Sequence, residues 1–345
     1  VAVTIDTRPL EALVRRAGNA VATITAMPGG ASTRQFFRVT LRDGRKAIGM
    51  FVPGEGRPEE SVHDLSALPR WPFLEIRELL EARGVRVPRI FGEDCDNAWL
   101  LVEDLGDDTL AARIAAHPEE RAPLYTKAVQ DLVRAQRALH DLPRGSVVAG
   151  RSFDADLLFW ELEHFREWGL DARGRRLSAA DRAAFDGIAR RLAGRIGAWP
   201  RGFTHRDYQS RNIMVVEGEL VWIDFQDALL GPRVYDMVAL LRDSYQAFDA
   251  EFIEDRLADY AEAAGLDDAE RALLSLEFDL VTIQRKLKDA GRFVFIDQVK
   301  ANPAFLPYIN PSLGSVRAAL DRVAPHDRDL ADLQAILHRA LPEVM

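Results

Sequence analysis

Two short apolar runs, IMVV at 213–216 and LVWI at 220–223, are separated only by Glu217-Gly218-Glu219. Runs of this length, rich in β-branched residues and joined through a glycine, read as a β-hairpin. A hairpin also constrains what lies outside it. The residue before the first strand and the residue after the second leave at the same end, and here these are Asn212 and Asp224. Asp207 precedes Asn212 by one tight loop in HRDYQSRN (205–212), so it can reach the same place. Three oxygen-bearing side chains then converge: a site for a hard cation with a free carboxylate beside it. Mg2+ takes oxygen ligands and keeps several waters, so one Asp and one Asn are enough protein for it. A polar loop with chance acids explains any one of these residues but not their common order around a hairpin.

The rest of the chain divides around residue 105. Before it, 7–18 reads as a helix, 21–27 as a strand, 28–32 as a turn-forming loop, and 36–41 and 46–52 as two more strands. A loop rich in Pro, Gly and Glu follows at 53–72, then a helix at 73–83, then VPRIFGED and AWLLVEDL as strands around the turn 94–97. After EDLGDD the pattern becomes helical over 109–116, 119–141, 154–169, 178–198, 232–247, 249–265, 267–290 and 313–342, with only 213–223 as strand. The expected architecture is α+β in two lobes. A small β-rich lobe (1–102) leads through a connector (103–106) to a large, mainly helical lobe (107–345).

Composition narrows the function classes. The formal net charge is -9 and the arginines are interleaved with Asp and Glu, so no basic stripe for nucleic acid is present. No apolar run approaches the ~18 residues that span a bilayer. The N-terminal stretch VAVTIDTRPLEALVRRAG lacks a basic start followed by an apolar core, and Cys95 alone cannot form an internal disulfide. The expectation is a cytoplasmic protein with small-molecule partners and no membrane or nucleic-acid partner.

HRDYQSRN matches the protein-kinase catalytic-loop pattern H-R-D-x-x-x-x-N letter for letter. Together with VWIDFQDALLGPRVYDMVALL (221–241) it resembles the aminoglycoside phosphotransferase and choline kinase-like superfamily, which shares the protein-kinase fold. Protein kinases carry Asp-Phe-Gly and an activation loop ending Ala-Pro-Glu, and neither is present here. Four further segments are similar to one branch, the bacterial cell-wall amino-sugar kinases. These are GGASTRQFFRV (29–39), FDADLLFWELEHFREWGL (153–170), LLRDSY (240–245) and QRKLKDAGRF (284–293). That branch phosphorylates the anomeric hydroxyl of N-acetylmuramate and N-acetylglucosamine with ATP and Mg2+, in peptidoglycan recycling.

The resemblance implies roles by position. Asp207 resembles the catalytic base, Asn212 and Asp224 the Mg2+ ligands, and Asp236 a buried aspartate that braces the catalytic loop. Asp227 helps with a second metal or holds the loop. His205 and Arg206 read as scaffold, the imidazole bonding backbone and the guanidinium pairing with a nearby acid. The nucleotide is expected on Gly30, Ala31, Ser32, Thr33 and Arg34, with Glu103 and Leu105 presenting backbone groups to the adenine edge.

One position departs from the kinase pattern. The third strand, KAIGMFVP, has Met50 where a phosphate-gripping lysine is usual, and Lys46 lies roughly 13 Å back at strand rise. Phosphate grip is therefore expected from the Gly30–Thr33 backbone, Arg34 or Arg38, with Glu75 as the counterpart of the usual helix glutamate. On the acceptor side the candidates are Arg211, Glu161, Arg242 and Tyr245. Arg211 could pair with an acceptor carboxylate or serve as a phosphate or scaffold contact. Trp160, Phe165 and Trp168 read as a core stripe, and Arg285, Lys286 and Lys288 as a solvated helix face. The alternatives are a kinase for an aminoglycoside or another hydroxyl metabolite, and a nucleotide-binding pseudokinase.

Overall fold

The computed structural model describes residues 5–28, 34–53 and 71–344. The fold is α+β, two-lobed and protein-kinase-like, with a β-rich lobe and a helical one. The Gly30–Thr33 stretch assigned to the nucleotide lies outside the described residues.

One compact unit draws on residues 1–69, 86–108 and 214–223. Strands β1 (Val21–Ala26), β2 (Gln35–Leu41), β3 (Lys46–Phe51), β4 (Ile90–Asp94) and β5 (Trp99–Glu103) form an antiparallel sheet in the order β1-β2-β3-β5-β4. Alternation puts Phe37, Val39, Leu41 and Ala47 on one face, where they pack with Trp99 and Leu101 under Leu10, Leu13 and Val14 of helix α1 (Arg8–Arg16). The helix approaches closely because Gly49 has no side chain; a Cβ there would lie 2.5 Å from Leu10 Cδ2. The opposite face carries Met50, which is 2% exposed and paired across the sheet with Phe36 and Leu100.

The second unit draws on 70–85, 109–213 and 224–345. Its helices are α2 (Pro72–Ala82), α3 (Leu110–Ala116), α4 (Arg121–Ala138), α5 (Ala155–His164) and α6 (Ala179–Gly197), followed by strand β6 (Arg201–Thr204). The chain then enters the first unit for the expected hairpin, β7 (Ile213–Val216) and β8 (Glu219–Trp222). Glu217 (φ 51) and Gly218 (φ 81) are both left-handed, the backbone of a two-residue hairpin turn that matches strand twist. The amides of Val215 and Trp222 bond the carbonyls of Asp108 and Arg86. On returning, β9 (Leu229–Pro232) pairs antiparallel with β6. Helices α7 (Tyr235–Leu241), α8 (Ala250–Ala264), α9 (Asp268–Lys300), α10 (Ile309–Val323) and α11 (Arg328–Ala340) complete the unit.

Several local readings of the sequence change. The β6–β9 pair was not expected; its strands, RGFT and LLGP, have four residues each and contain Gly or Pro, which erases the alternation signal. The run 313–342 is two helices, broken at 324–326 around Pro325. The helix from 154 becomes a π-turn over Phe165–Leu170, and α9 continues ten residues beyond 290, to Lys300. Among the described residues no helix is long and apolar enough to cross a membrane.

The long helix α9 touches the π-turn at Gly291. A Cβ there would stand 2.7 Å from Phe165 Cα and 3.0 Å from the His164 carbonyl oxygen, both backbone atoms that cannot rotate away. Gly291→Ala should therefore cost about 1–3 kcal/mol by forcing two elements apart. Urea unfolding followed by far-UV circular dichroism reads this directly, and a midpoint equal to wild type would contradict the packing.

Candidate active site

The loop after β6 is built on one carboxylate. Arg206 has a left-handed backbone (φ 78), a conformation that an arginine holds only under constraint. The constraint is Asp236 on α7, fully buried, whose two oxygens accept the amides of His205 (2.7 Å) and Arg206 (3.0 Å). Burial pushes the Asp236 carboxyl up to about 7, against the two amides and the positive Arg285, which favour its charged form. The His205 ring, also fully buried, accepts the Asp207 amide at 3.3 Å through Nδ1. At the far end of the loop, Asp243 accepts the Ser210 amide (2.9 Å) and hydroxyl (2.5 Å). The Asn212 side-chain amide closes the loop by donating to the Asp207 carbonyl at 2.9 Å.

Asp207 itself stays accessible, with its side chain 37% exposed. One of its oxygens accepts from Arg285 at 3.2 Å, and the same guanidinium donates to the Arg206 carbonyl at 2.8 Å. Arg285 is 1% exposed and lies over the Tyr235 ring at 4.7 Å. This overturns the expectation of a solvated basic face on α9. Arg285, Lys286 and Lys288 are all buried, at 1%, 1% and 8% exposure. Asp289 neutralises the two lysines at 2.8 and 3.2 Å. Burial opposes the Asp289 charge, but Lys286, Lys288 and Arg285 outweigh it and hold the carboxyl well below its usual range. The sequence offered one signal for this pairing, an acid three residues after Lys286.

Just after the hairpin's second strand Asp224 is left-handed (φ 62), a non-glycine strained backbone where a functional carboxylate is expected. The Gln226 amide bridges Asp224 (3.1 Å) and Asp227 (2.8 Å), and the Gln226 carbonyl accepts from buried Arg151 at 3.0 Å. Gln226 is a site residue that the sequence reading missed. The donor set suits Mg2+: the Asn212 amide nitrogen is committed to the loop, which leaves its oxygen, and Asp224 adds a carboxylate, so both donors are hard oxygens.

The remaining candidates separate. Glu161 is fully buried, bonded by Gln284 at 2.7 Å and paired with Arg206 at 3.7 Å, and it reaches no surface that an acceptor could occupy. Arg242 packs over Phe278 at 5.6 Å; burial, with nearby Arg322, pushes its pKa down to about 10. Arg211 and Tyr245 do come together, guanidinium to ring centroid 3.6 Å. In the first unit, Arg38 is committed to Asp104 (2.8 Å) and Asp107 (2.8 Å), which takes it out of the phosphate candidates. Arg34 is half-buried just before β2. Glu103 ends β5 with its carboxylate on Arg86 (2.6 Å) and the Arg89 amide (3.0 Å), and Leu105 follows half-buried. Glu75 accepts the Val147 amide at 2.5 Å, within the helical unit. An open cavity of about 420 Å3 is lined by Arg173, Asp297 and Leu306 among others; Asp207, Asn212 and Asp224 do not line it.

Residues 23–274 match the model of the phosphotransferase enzyme family. The chain belongs to that family. It is 30% identical over 323 residues to an N-acetylmuramate/N-acetylglucosamine kinase of Neisseria meningitidis serogroup B, covering 91% of this chain and 89% of the relative. A protein of the same description from Pseudomonas putida is 31% identical, covering 84% of each chain. Among solved structures, a type I macrolide 2'-phosphotransferase superposes with TM-score 0.57 at 18% identity, over 90% of this chain and 97% of its own. A choline kinase from Cryptosporidium parvum gives 0.58 at 11%, over 91% and 92%. The fold is therefore shared with small-molecule kinases, and the family's reaction is ATP-dependent phosphoryl transfer to a small-molecule hydroxyl.

Two variants test the site. In Asp236→Asn a single acceptor oxygen remains, so one loop amide loses its partner, at about 1–3 kcal/mol. The raised carboxyl also gives a sign. The folded state binds this proton more tightly than the unfolded chain, so its contribution is full below the ordinary value of 3.8 and is lost as pH rises through about 7. Wild-type stability measured relative to the Asn variant should decline between those limits and then level off; a flat difference in urea titrations contradicts the buried carboxyl. Arg285→Gln should lower kcat on the order of 100-fold by letting Asp207 drift, with a smaller change in the KM for ATP and partial recovery in Arg285→Lys. Steady-state kinetics with both substrates varied separates this from general damage.

Proposed function

We propose that this chain transfers the γ-phosphoryl group of ATP to the anomeric hydroxyl of a cell-wall amino sugar, N-acetylmuramate or N-acetylglucosamine, giving the sugar 1-phosphate. The observation that carries the reading is the seating of Asp207: one oxygen on buried Arg285, the rest of the carboxylate accessible, on a loop that ends in Asn212. Phosphoryl transfer asks for placement more than for covalent chemistry, and this carboxylate is placed. An anomeric hydroxyl is more acidic than an ordinary alcohol, so an oriented carboxylate serves it well without being a strong base. The two relatives above are named as kinases of these two sugars, and their similarity extends over most of the chain.

In the reaction, Asp207 takes the hydroxyl proton as the sugar oxygen bonds to the γ-phosphorus. The bond from that phosphorus to the bridging oxygen breaks, and ADP leaves with the electron pair. Asn212 and Asp224 would hold Mg2+, which would neutralise phosphate charge. Asp236, His205 and Asp243 fix the loop, so little reorganisation is left for the chemical step. We assign the reaction to cytoplasmic recycling of peptidoglycan sugars.

Phosphorus NMR of the protein with ATP, Mg2+ and each amino sugar in turn should show a sugar 1-phosphate resonance, absent with Asp207→Asn. An aminoglycoside serves as the contrasting acceptor. Product on the aminoglycoside alone would replace the amino-sugar reading while keeping the chemistry.

A further inference from the structure

We infer that Arg211, stacked on Tyr245 beside Tyr308, binds a carboxylate carried by the acceptor sugar. The inference rests on the amino-sugar reading and adds what distinguishes one such sugar from another. Some arginines of this acidic chain are taken up by acids: Arg113 by Glu120, Arg191 by Asp329, Arg233 by Glu277. Arg211 is not one of them. It is exposed, it directly precedes the loop residue Asn212, and among the described residues no carboxylate pairs with it. Its guanidinium sits 3.6 Å from the Tyr245 ring centroid and 6.0 Å from that of Tyr308, with Nη2 3.5 Å from the Tyr308 hydroxyl. The two tyrosines meet edge to face at 4.8 Å.

The arrangement is held from beneath. Asp243, 3% exposed, bonds both the Ser210 amide, next to Arg211, and the Tyr245 amide, at 2.9 and 3.0 Å. Lys286, 1% exposed, donates to the Ser244 hydroxyl at 2.6 Å, and the Phe293 ring backs Tyr308 at 6.2 Å. Stacking occupies the flat face of a guanidinium and leaves its N–H groups, which lie in the plane, pointing outward. An oriented fork of donors to which no acid pairs among the described residues is a receptor for a planar anion, and a carboxylate fits it with two parallel bonds. The tyrosine rings beside it offer the apolar surface on which a sugar ring packs, which a nucleotide phosphate would not use. Tyr308 lies beyond the span matched by the family model, so this part of the site comes from the chain's own C-terminal region.

The test compares two acceptors that differ at one group. N-acetylmuramate carries a carboxylate on its lactyl ether, and N-acetylglucosamine lacks it. For wild type, Arg211→Ala, Arg211→Lys and Tyr308→Phe, kcat/KM is measured on both sugars, and the KM for ATP on each. In Arg211→Ala the ratio of the acid to the neutral sugar should fall on the order of 10- to 100-fold, mostly through KM. Arg211→Lys should fall between, since it keeps the charge but loses the planar fork. Tyr308→Phe should lower the ratio only slightly. An unchanged ratio in Arg211→Ala, with turnover of both sugars, would overturn this inference alone. A raised KM for ATP with an unchanged ratio would overturn it by assigning Arg211 to the nucleotide phosphates. Failure of wild type to phosphorylate either sugar would overturn the amino-sugar reading and this inference together.

Discussion

A single buried carboxylate sets the geometry on which the rest of the site depends. Asp236 receives two consecutive amides, those of His205 and Arg206, and so pins the loop at the point where Arg206 turns left-handed. Without that acceptor Arg206 would relax towards ordinary dihedrals, and Asp207 would aim elsewhere. The bond energies are modest one at a time, about 1.5–3 kcal/mol each for a charged acceptor. Their value is directional: they convert a short polar loop into a rigid bracket.

The second theme is charge held in the interior. Arg285, Lys286, Lys288 and Asp289 follow one another within a turn and a half of α9, and Glu161 and Arg206 lie opposite. Burying ions is unfavourable unless each finds an opposite charge or a full set of hydrogen bonds. In this stretch three cations face one acid, Asp289, and Arg285 is directed at Asp207 and the loop carbonyl. Stability alone would favour apolar side chains at these positions. Their presence accords with a helix whose inner face serves the reaction loop.

Much of this was legible in the sequence, and the parts that were not have physical causes. The hairpin could be read because β-branched runs and a turn glycine are local signals, and the sheet with its covering helix followed from alternation and 3–4 spacing. The pairing of Arg285 with Asp207 could not, because no local rule connects residues 78 positions apart. A run of three cations looks solvated on any periodicity plot, and only the packing of α9 against the π-turn at Phe165 shows that it is enclosed. Glu161 misled in the opposite direction: an acid beside an apolar stripe suggests a ligand, yet its partners, Arg206 and Gln284, come from other elements. The strands of the β6–β9 pair are so short that their pairing is set by tertiary context.

The distance along the chain between Asp207 and Arg285 also bears on synthesis. The whole motif, from His205 to Asp224, leaves the ribosome some sixty residues before the guanidinium that seats its carboxylate. A nascent chain at that stage holds every residue of the signature but not the contact that aligns them. Domains generally fold as units once their sequence is available. Activity is then timed by the emergence of α9 rather than by the motif, and a fragment ending before that helix would carry the recognisable letters of a kinase without its geometry.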